Sequence, residues 1–494
     1  MYSVRLSAAA LLAAALLVAC SDSSDWPSGP NLSAARLEPD LGGAGSVFIC
    51  HQPKQGGHLL EVSASALAGH LRHGDYLTRY EIDPTAGEAP SIGRYRRIWQ
   101  ALDAARAGRL ERGELTSAAC RVRIVVAPGA YTGSFDPGAS ASLERFPLLV
   151  DVPDLTLSGA LQMQLDQKGR ATGEARHPDE VTLLHPDRPI AFMPVTEAMV
   201  LVVGHPGGST GDGAVIEGFA FGAAPTETAS GGMAIISLRV ERLLIRGNRF
   251  NRGLSTAADL RASSAEVTQN YGHGLGLNCG FCLAGPGNYV AAGNRLIDGG
   301  LGGFYVSAAL AHLPLSTGAI PTAVVEPYEL PGAATVTAAI LNNDVQGYLR
   351  KPIGFALRIL GVGPSSSAVP QSTRVSVAGN DFARNTFGLI VDAGFPQNGT
   401  LRRGDIEVAL HGNTISQSCQ ANLLVAFTRH TGALGTTVNP YLVNSTYRLE
   451  LGGDLPWTEE WYSHLDGQGN TLVVDGAVVP PGASVAYDPA KICP

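Results

Sequence analysis

Charge is scarce in this chain. Of 494 residues only 16% are Asp, Glu, Lys or Arg, and 35 basic residues are outnumbered by 43 acidic ones, for a net charge of −8. No basic field exists to collect phosphates, so nothing global favours nucleic acid as a partner. Long apolar runs are also lacking, apart from one at the start. MYSVRLSAAALLAAALLVAC (1–20) has a positive Arg5 and then an apolar stretch from Leu11 to Ala19. That stretch is too short for an ordinary membrane span and reads as a signal peptide. Glycine, by contrast, is abundant at 60 residues, and Asn recurs in turns. Little charge and much glycine suit a turn-rich β protein better than a helical one. The length allows a large core and, as a prior, more than one ordinary domain.

The leader ends Leu17-Val18-Ala19-Cys20. This resembles the bacterial lipobox, in which small residues precede a cysteine that is lipidated and becomes the new N-terminus. The resemblance implies lipidation at Cys20 and a chain held to a membrane by its N-terminal lipid without spanning it. Ser21 stands where the inner-membrane retention signal has Asp. The expected location is therefore the outer membrane of a Gram-negative envelope. Residues 21–46, rich in Ser, Gly, Pro and Asp, read as a flexible tether. Six cysteines remain: Cys50, Cys120, Cys279, Cys282, Cys419 and Cys493. An exported chain can form disulfides, and six cysteines allow 15 full pairings between which sequence does not choose.

Residues 91–108 place Ile98, Leu102 and Ala105 on one helical face, with Gly108 as a C-cap. A strand follows, with Val122, Ile124 and Val126 alternating before Pro128-Gly129. Further on, LLIRGNRF, AEVTQNYG, YVAAGNRL, AAILNNDV, VSVAGNDF and VALHGNTI repeat one pattern: a short apolar strand, an Asn, and usually another short strand. The asparagines are Asn248, Asn270, Asn294, Asn343, Asn380 and Asn413, with gaps of 22, 24, 49, 37 and 33 residues. The first two gaps are single coils of a solenoid, the third is about two, and the last two are coils with longer loops. One coil cannot bury its apolar face alone, so coils must stack. Asn suits such a turn because it tolerates left-handed backbone angles, and stacked asparagines can hydrogen-bond along the array. The helix and the V-x-P-G-x-Y strand resemble the N-terminal cap and first coil of the pectin-lyase-like family. That resemblance implies an all-β fold, a right-handed parallel β-helix over residues 91–494, with a capping helix and a last coil and cap at 465–479. Two stretches rich in Pro and polar residues, 161–198 and 307–335, break the period and are expected to border a binding face.

In a parallel solenoid the residues after each ladder Asn form an outward column: Arg249, Tyr271, Arg295, Asp344, Asp381 and Thr414. It reads either as a sugar track, with Arg forks and a flat Tyr face, or as a solvated ridge of turns. Arg239, Arg242, Arg246, Arg249, Arg252 and Arg261 also crowd into 23 positions. Polysaccharide lyases of the resembled fold use basic residues to neutralise a uronate carboxylate and abstract the adjacent proton. Arg249 and Arg295 are catalytic candidates on that ground, and calcium is the implied cofactor if the chain is a lyase. Gly272-His273-Gly274 resembles one motif of the polygalacturonase-type hydrolases and makes His273 a third candidate. The other motifs of that family are missing, and without two placed carboxylates glycoside hydrolysis has neither acid nor base. Cys279-Gly280-Phe281-Cys282 lies among Gly-rich strands, and a local disulfide is the expectation.

Residues 47–80 are different. FICHQPKQGGHLLEVSASALAGHLRHGDYL resembles a short Cys-His-x-Pro…His-Leu-x-His-Gly-Asp module of bacterial secreted and surface proteins. The module normally closes with a second cysteine, and here Thr78, Arg79 and Tyr80 stand instead. Cys50 must therefore pair elsewhere, stay free or bind metal. Cys50, His51, His58, His70, His73 and Asp75 form a dense donor set for zinc, with His70 and His73 on one helical face. The alternative is a small core whose histidines satisfy one another. The expected function is a lipid-anchored envelope protein that binds polysaccharide or another surface component, with a uronate-cleaving lyase as the alternative.

Overall fold

Each repeat of the short-strand pattern supplies one strand to each of three sheets. The computed structural model describes residues 46–52, 57–110, 120–136, 138–188, 198–204, 211–222, 232–261, 264–276, 279–307, 334–349, 354–362, 371–394, 404–426, 446–452 and 471–479. Cys20, the leader, the tether up to residue 45 and most of the second insertion (308–333) lie outside them. Among the described residues the solenoid strands form sheets of fourteen, ten and nine strands. A representative coil runs Leu243–Arg246, Arg249–Phe250 and Thr256–Arg261, and the next begins at Ala265–Thr268. Like strands pair in parallel, Leu244 with Glu266, Arg249 with Tyr271 and Asp259 with Cys282. This is the expected parallel β-helix, right-handed as parallel crossovers are.

The core is the inside of the coil. Ile245, Phe250 and Leu260 point inward from the three strands of one coil, and Val267 and Leu283 repeat two of them in the next, where Gly272 stands opposite Phe250; none of these apolar side chains has measurable exposure. Phe221, Phe250, Phe281 and Phe304 follow one another along the axis with successive centroids 5.2, 5.8 and 5.8 Å apart, the first and last pairs stacked and Phe250 edge-on to Phe281. Stacking thus converts a half-buried coil into a continuous core.

The six asparagines run through the corner between the fourteen- and ten-stranded sheets. From the second asparagine onward each Oδ1 accepts the backbone N–H and the side-chain amide of the asparagine one coil earlier, as Asn294 Oδ1 does from Asn270 N (3.0 Å) and Nδ2 (3.0 Å), while Asn248 Oδ1 accepts Phe219 N–H (3.0 Å). Each Nδ2 also donates to a strand carbonyl, Asn294 to Val267 O at 2.8 Å. The left-handed angle falls one residue earlier than expected, on Gly247, Gln269, Gly293, Asn342, Gly379 and Gly412, whose φ values lie between +53° and +67°. Glycine fills four of the six because it has no Cβ to clash there. The ladder Asn is selected for its amide, which satisfies buried donors that water cannot reach.

The first coil is closed by two helices and a small sheet. Ser46–His51 pairs antiparallel with His58–Ser63, α1 (Ala64–Arg72) follows, and Tyr76–Leu77 returns beside the first strand. Arg79–Ile82 already belongs to the fourteen-stranded sheet, where it pairs with Arg123–Val126. The solenoid sheet therefore starts before residue 91, and residue 80 lies inside one of its strands. Cys50 is bonded to Cys120, which ties the small sheet to the segment entering that strand. The cap helix α2 runs Ile98–Leu110, later than expected, with Ile98, Leu102 and Ala105 buried. At the other end Thr471–Val474 adds a last parallel strand and Ala477–Val479 folds back against it.

The N-terminus of α2 is capped from a distance. Glu144, 1% exposed, accepts Ile98 N–H through both carboxylate oxygens (3.1 and 3.0 Å) and Trp99 N–H (3.3 Å). Burial outweighs these donors and pushes its pKa from the ordinary 4.5 up to about 7. The folded state therefore holds a proton that the unfolded chain releases. This contribution to stability is complete below pH 4.5 and is lost as the pH rises through about 7. Glu144→Gln keeps an acceptor and cannot ionise. Urea midpoints are expected to show the variant gaining roughly 3 kcal/mol on the wild type between pH 4.5 and 8.5. Parallel pH profiles for the two proteins would contradict this.

Candidate functional site: the outward face of the nine-stranded sheet

The outward column on the ten-stranded sheet stacks in the register read from the sequence, from Arg249 through Tyr271, Arg295, Asp344 and Asp381 to Thr414. It is neither an open track nor a solvated ridge along its length. Part of the first insertion folds as an antiparallel hairpin, Met163–Leu165 with Ala171–Ala175, and lies on it. Met163, Ala171 and Ala175 pack with Ala220 and Tyr271. Gly173 is so close to the Tyr271 ring that a Cβ there would stand 2.6 Å from it. The tip reaches farther. Ala171 N donates to Gly293 O (3.1 Å), Lys168 Nζ pairs with Asp381 (3.1 Å), and Arg170 bridges Asp166 and Asp381. Burial opposes ionisation of Asp381, but the bonds from Arg170 and Lys168 prevail and hold its carboxyl below the ordinary range.

The three catalytic candidates all lie on this sheet. Arg249 and Arg295 flank Tyr271 and are half-buried, and Arg295 pairs with Asp344 at 3.1 Å. His273 is exposed and 3.8 Å from the equally exposed Asp298. The six clustered arginines do not make a patch. One coil turns through a full circle in about that length. Arg242 accordingly meets Asp154, Arg246 meets Glu217 on the fourteen-stranded sheet, and Arg261 lands on the nine-stranded one.

That last sheet holds what the sequence pattern did not show. Its side chains alternate between core and outside. The middle outward row reads Leu201, Ile236, Asp259, Cys282, Tyr305, Arg358, Ile390 and Leu424 in consecutive register. Beside it run Leu238, Arg261, Ala284, Ser307 and Leu360, with Asp392 at the next register. Both ends are apolar clusters, one around Leu201 and Ile236 and the other around Ile390 and Leu424. The centre is polar. Arg261 Nε and Nη2 both reach Asp259 Oδ2 (3.0 and 2.6 Å). Asp259, Arg261 and Arg358 are each 5% exposed or less, and Tyr305 is half-buried. Cys282, between Asp259 and Tyr305, is bonded to Cys279. A buried ion pair is often no more stabilising than apolar groups of the same size, and can be about 1–4 kcal/mol worse. The neighbouring coils show that Leu and Ile fit these register positions. Charges at the centre therefore stand where apolar side chains would also fit.

The N-terminal donors separate into two groups. Cys50 is excluded as a metal ligand, because its sulfur is bonded to Cys120 and offers no thiolate. His51 Nδ1 and His70 Nδ1 each lie 2.8 Å from Asp75 Oδ2, while Gln52 N–H holds Oδ1 at 3.0 Å. Burial opposes ionisation of Asp75, but these hydrogen bonds outweigh it and keep the carboxyl below its usual range. His58, cross-strand from His51, and His73, at the C-cap of α1, are exposed and stand outside the converging set. Calcium needs six to eight oxygen ligands. Among the described residues no group of acidic side chains converges to supply them.

No family model matches the chain, and no curated protein does. Solved structures do. The A-module of the Azotobacter vinelandii mannuronan C-5 epimerase AlgE4 is 15% identical, covering 80% of this chain and 94% of that one at a TM-score of 0.33. The DFA-IIIase of Arthrobacter chlorophenolicus A6, in complex with GF2, is 16% identical over 80% and 93% at 0.37. A mutant tailspike protein of E. coli bacteriophage HK620, in complex with a hexasaccharide, is 14% identical over 89% and 72% at 0.34. The β-helix assignment itself stands on this chain's own strand register.

Proposed function

We propose that the protein is a lipid-anchored envelope β-helix that binds a polysaccharide along the outward face of the nine-stranded sheet. The observation that carries the proposal is the replacement of apolar side chains by Asp259, Tyr305 and Arg358 in the middle of a row whose ends are apolar, with Arg261 beside Asp259 in the adjacent row. Successive coils are about 4.8 Å apart, so an extended polymer aligned with the axis follows this row, with half-buried Tyr305 as its most accessible contact and the buried Asp259, Arg261 and Arg358 setting the charge beneath it. Guanidinium forks suit carboxylates, and a Tyr ring gives a sugar a flat apolar face. Uronate polymers are the favoured class. Lipidation at Cys20 would hold the solenoid at the outer membrane of a Gram-negative envelope.

One observation favours an enzyme reading as a second choice. Tyr305 and Arg358 are register neighbours, with Arg261 on the same face. A tyrosine beside guanidiniums is a base paired with carboxylate-neutralising charge, the set a uronate lyase needs. Affinity gels of alginate, polygalacturonate and dextran test the binding function. Arg358→Met is expected to weaken retardation by acidic polymers at least about tenfold, or 1.4 kcal/mol, with the melting temperature read alongside so that loss of binding is told from loss of fold. Equal retardation of wild type and variant would overturn the assignment. Ultraviolet absorbance of unsaturated uronates tests the enzyme, and its absence with every polymer, with and without Ca²⁺, would remove the lyase.

A further inference from the structure

The carboxylate of Asp75 is almost wholly buried, at 1% exposure, and among the described residues its only charge partners are two histidines. A buried anion with no fixed cation is costly. Its position does not depend on the imidazoles. Asp75 N–H donates to His70 O at the C-terminal end of α1, and Gln52 N–H fixes Oδ1. The other oxygen, Oδ2, then faces Nδ1 of His51, at the end of the first strand, and Nδ1 of His70, on α1. The two rings are nearly perpendicular, with centroids 5.5 Å apart. Three donor atoms from three separate segments converge on one point. Because both Nδ1 atoms converge, the Nε2 atoms on the far sides of the rings diverge and do not share a ligand. The histidine side chains are 27% and 26% exposed, which leaves water a path to a fourth position.

We propose that His51 Nδ1, His70 Nδ1 and Asp75 Oδ2 form a three-ligand site for a divalent transition metal, with zinc as its type ion. Two neutral imidazoles and a carboxylate are a zinc donor set with one open tetrahedral position. For Nδ1 to bind the ion each neutral imidazole carries its one proton on Nε2, so no proton is lost, and the ion supplies the cation that the buried carboxylate lacks. The ion would clamp α1 to the strand that carries Cys50, the same strand that the disulfide anchors from its other side. It fastens the end of the solenoid, so its role is structural or sensory and is independent of the polysaccharide-binding proposal.

The test uses the purified full chain, stripped with chelator and titrated calorimetrically with Zn²⁺. One equivalent is expected to bind and to raise the melting temperature by mass action. His70→Ala and His51→Gln are each expected to weaken binding at least tenfold and to abolish the zinc-dependent melting shift, while His73→Ala changes neither. Two histidine variants are specified so that one can fail to fold without ending the test. With Co²⁺ in place of Zn²⁺, no thiolate charge-transfer band is expected, because Cys50 is disulfide-bonded. Absence of stoichiometric zinc, zinc affinity unchanged in both variants, or equal loss in His73→Ala would overturn the proposal.

Discussion

Asn294→Ala is expected to destabilise the solenoid by about 3–5 kcal/mol, as read from denaturant midpoints and m-values. The side chain is fully buried in the middle of the ladder. Its removal takes the acceptor from Asn270 N–H and Nδ2, and the donor from Val267 O and Asn343 Oδ1. Water does not reach this corner. A buried polar group left without its partner costs about 1–3 kcal/mol, and the backbone N–H of Asn270 has no substitute acceptor within the ladder. Asn294→Asp discriminates further. It keeps an oxygen for Asn270 but offers no amide hydrogen to Val267 or Asn343. It also places a charge beside the Asn343 oxygen, so it should be no milder than alanine. Thr414→Ala, at an exposed position of the neighbouring column, is expected to change stability by less than about 0.5 kcal/mol. A ladder variant as mild as Thr414→Ala would mean that the amides only accompany the turn.

The second large effect is expected at the other kind of cross-link. Cys50 and Cys120 are 70 residues apart. Chain-entropy arguments give a link closing a loop of that length about 4 kcal/mol of stabilisation. The double variant Cys50→Ser/Cys120→Ser is expected to lose most of this. The loss should appear first as faster hydrogen exchange in Ser46–Leu77 and α2, while the central coils keep their protection. If those segments and the central coils lose protection together, the cap and the solenoid unfold as one unit and the link acts globally.

The solenoid was readable because its two strongest signals are local. The spacing of Asn248, Asn270 and Asn294 measures the coil, and the alternation around each Asn tells inside from outside. The same signals gave the register of Arg249, Tyr271 and Arg295. They also misled at one point. A left-handed turn and an Asn occur together, and the turn was assigned to the Asn when Gly247, Gly293 and their equivalents adopt it. The Asn carries the hydrogen bonds and the residue before it carries the angle.

The polar centre on the nine-stranded sheet was hidden for a physical reason. Asp259, Tyr305 and Arg358 follow no marker residue, and the loops that separate their strands differ in length. Tyr305 and Arg358 are 53 positions apart, although their strands are adjacent. The helix cap was hidden in the same way, because Glu144 reaches Ile98 from 46 residues downstream. At the N-terminal cluster the composition was legible, but the geometry that sorts His51, His70 and Asp75 from His58, His73 and Cys50 was not. Cys50 could be placed only with its partner, since nothing in the spacing singles out Cys120.

The hairpin laid on the ten-stranded sheet bears on how the molecule comes apart. An array of coils that touch only their neighbours behaves as a chain of nearly independent units, able to fray from either end. Here Arg170, from an early coil, is fastened to Asp381, 211 residues later, while the strands between them lie underneath. Opening the late coils therefore requires releasing a segment that belongs to the early ones. The intervening coils become one cooperative block instead of a series of steps. The same strap gives the chain contacts of very long sequence separation, which local ladders do not supply, and such contacts slow folding. A solenoid buckled in this way should assemble late at the strap and, once closed, resist unravelling from its far end.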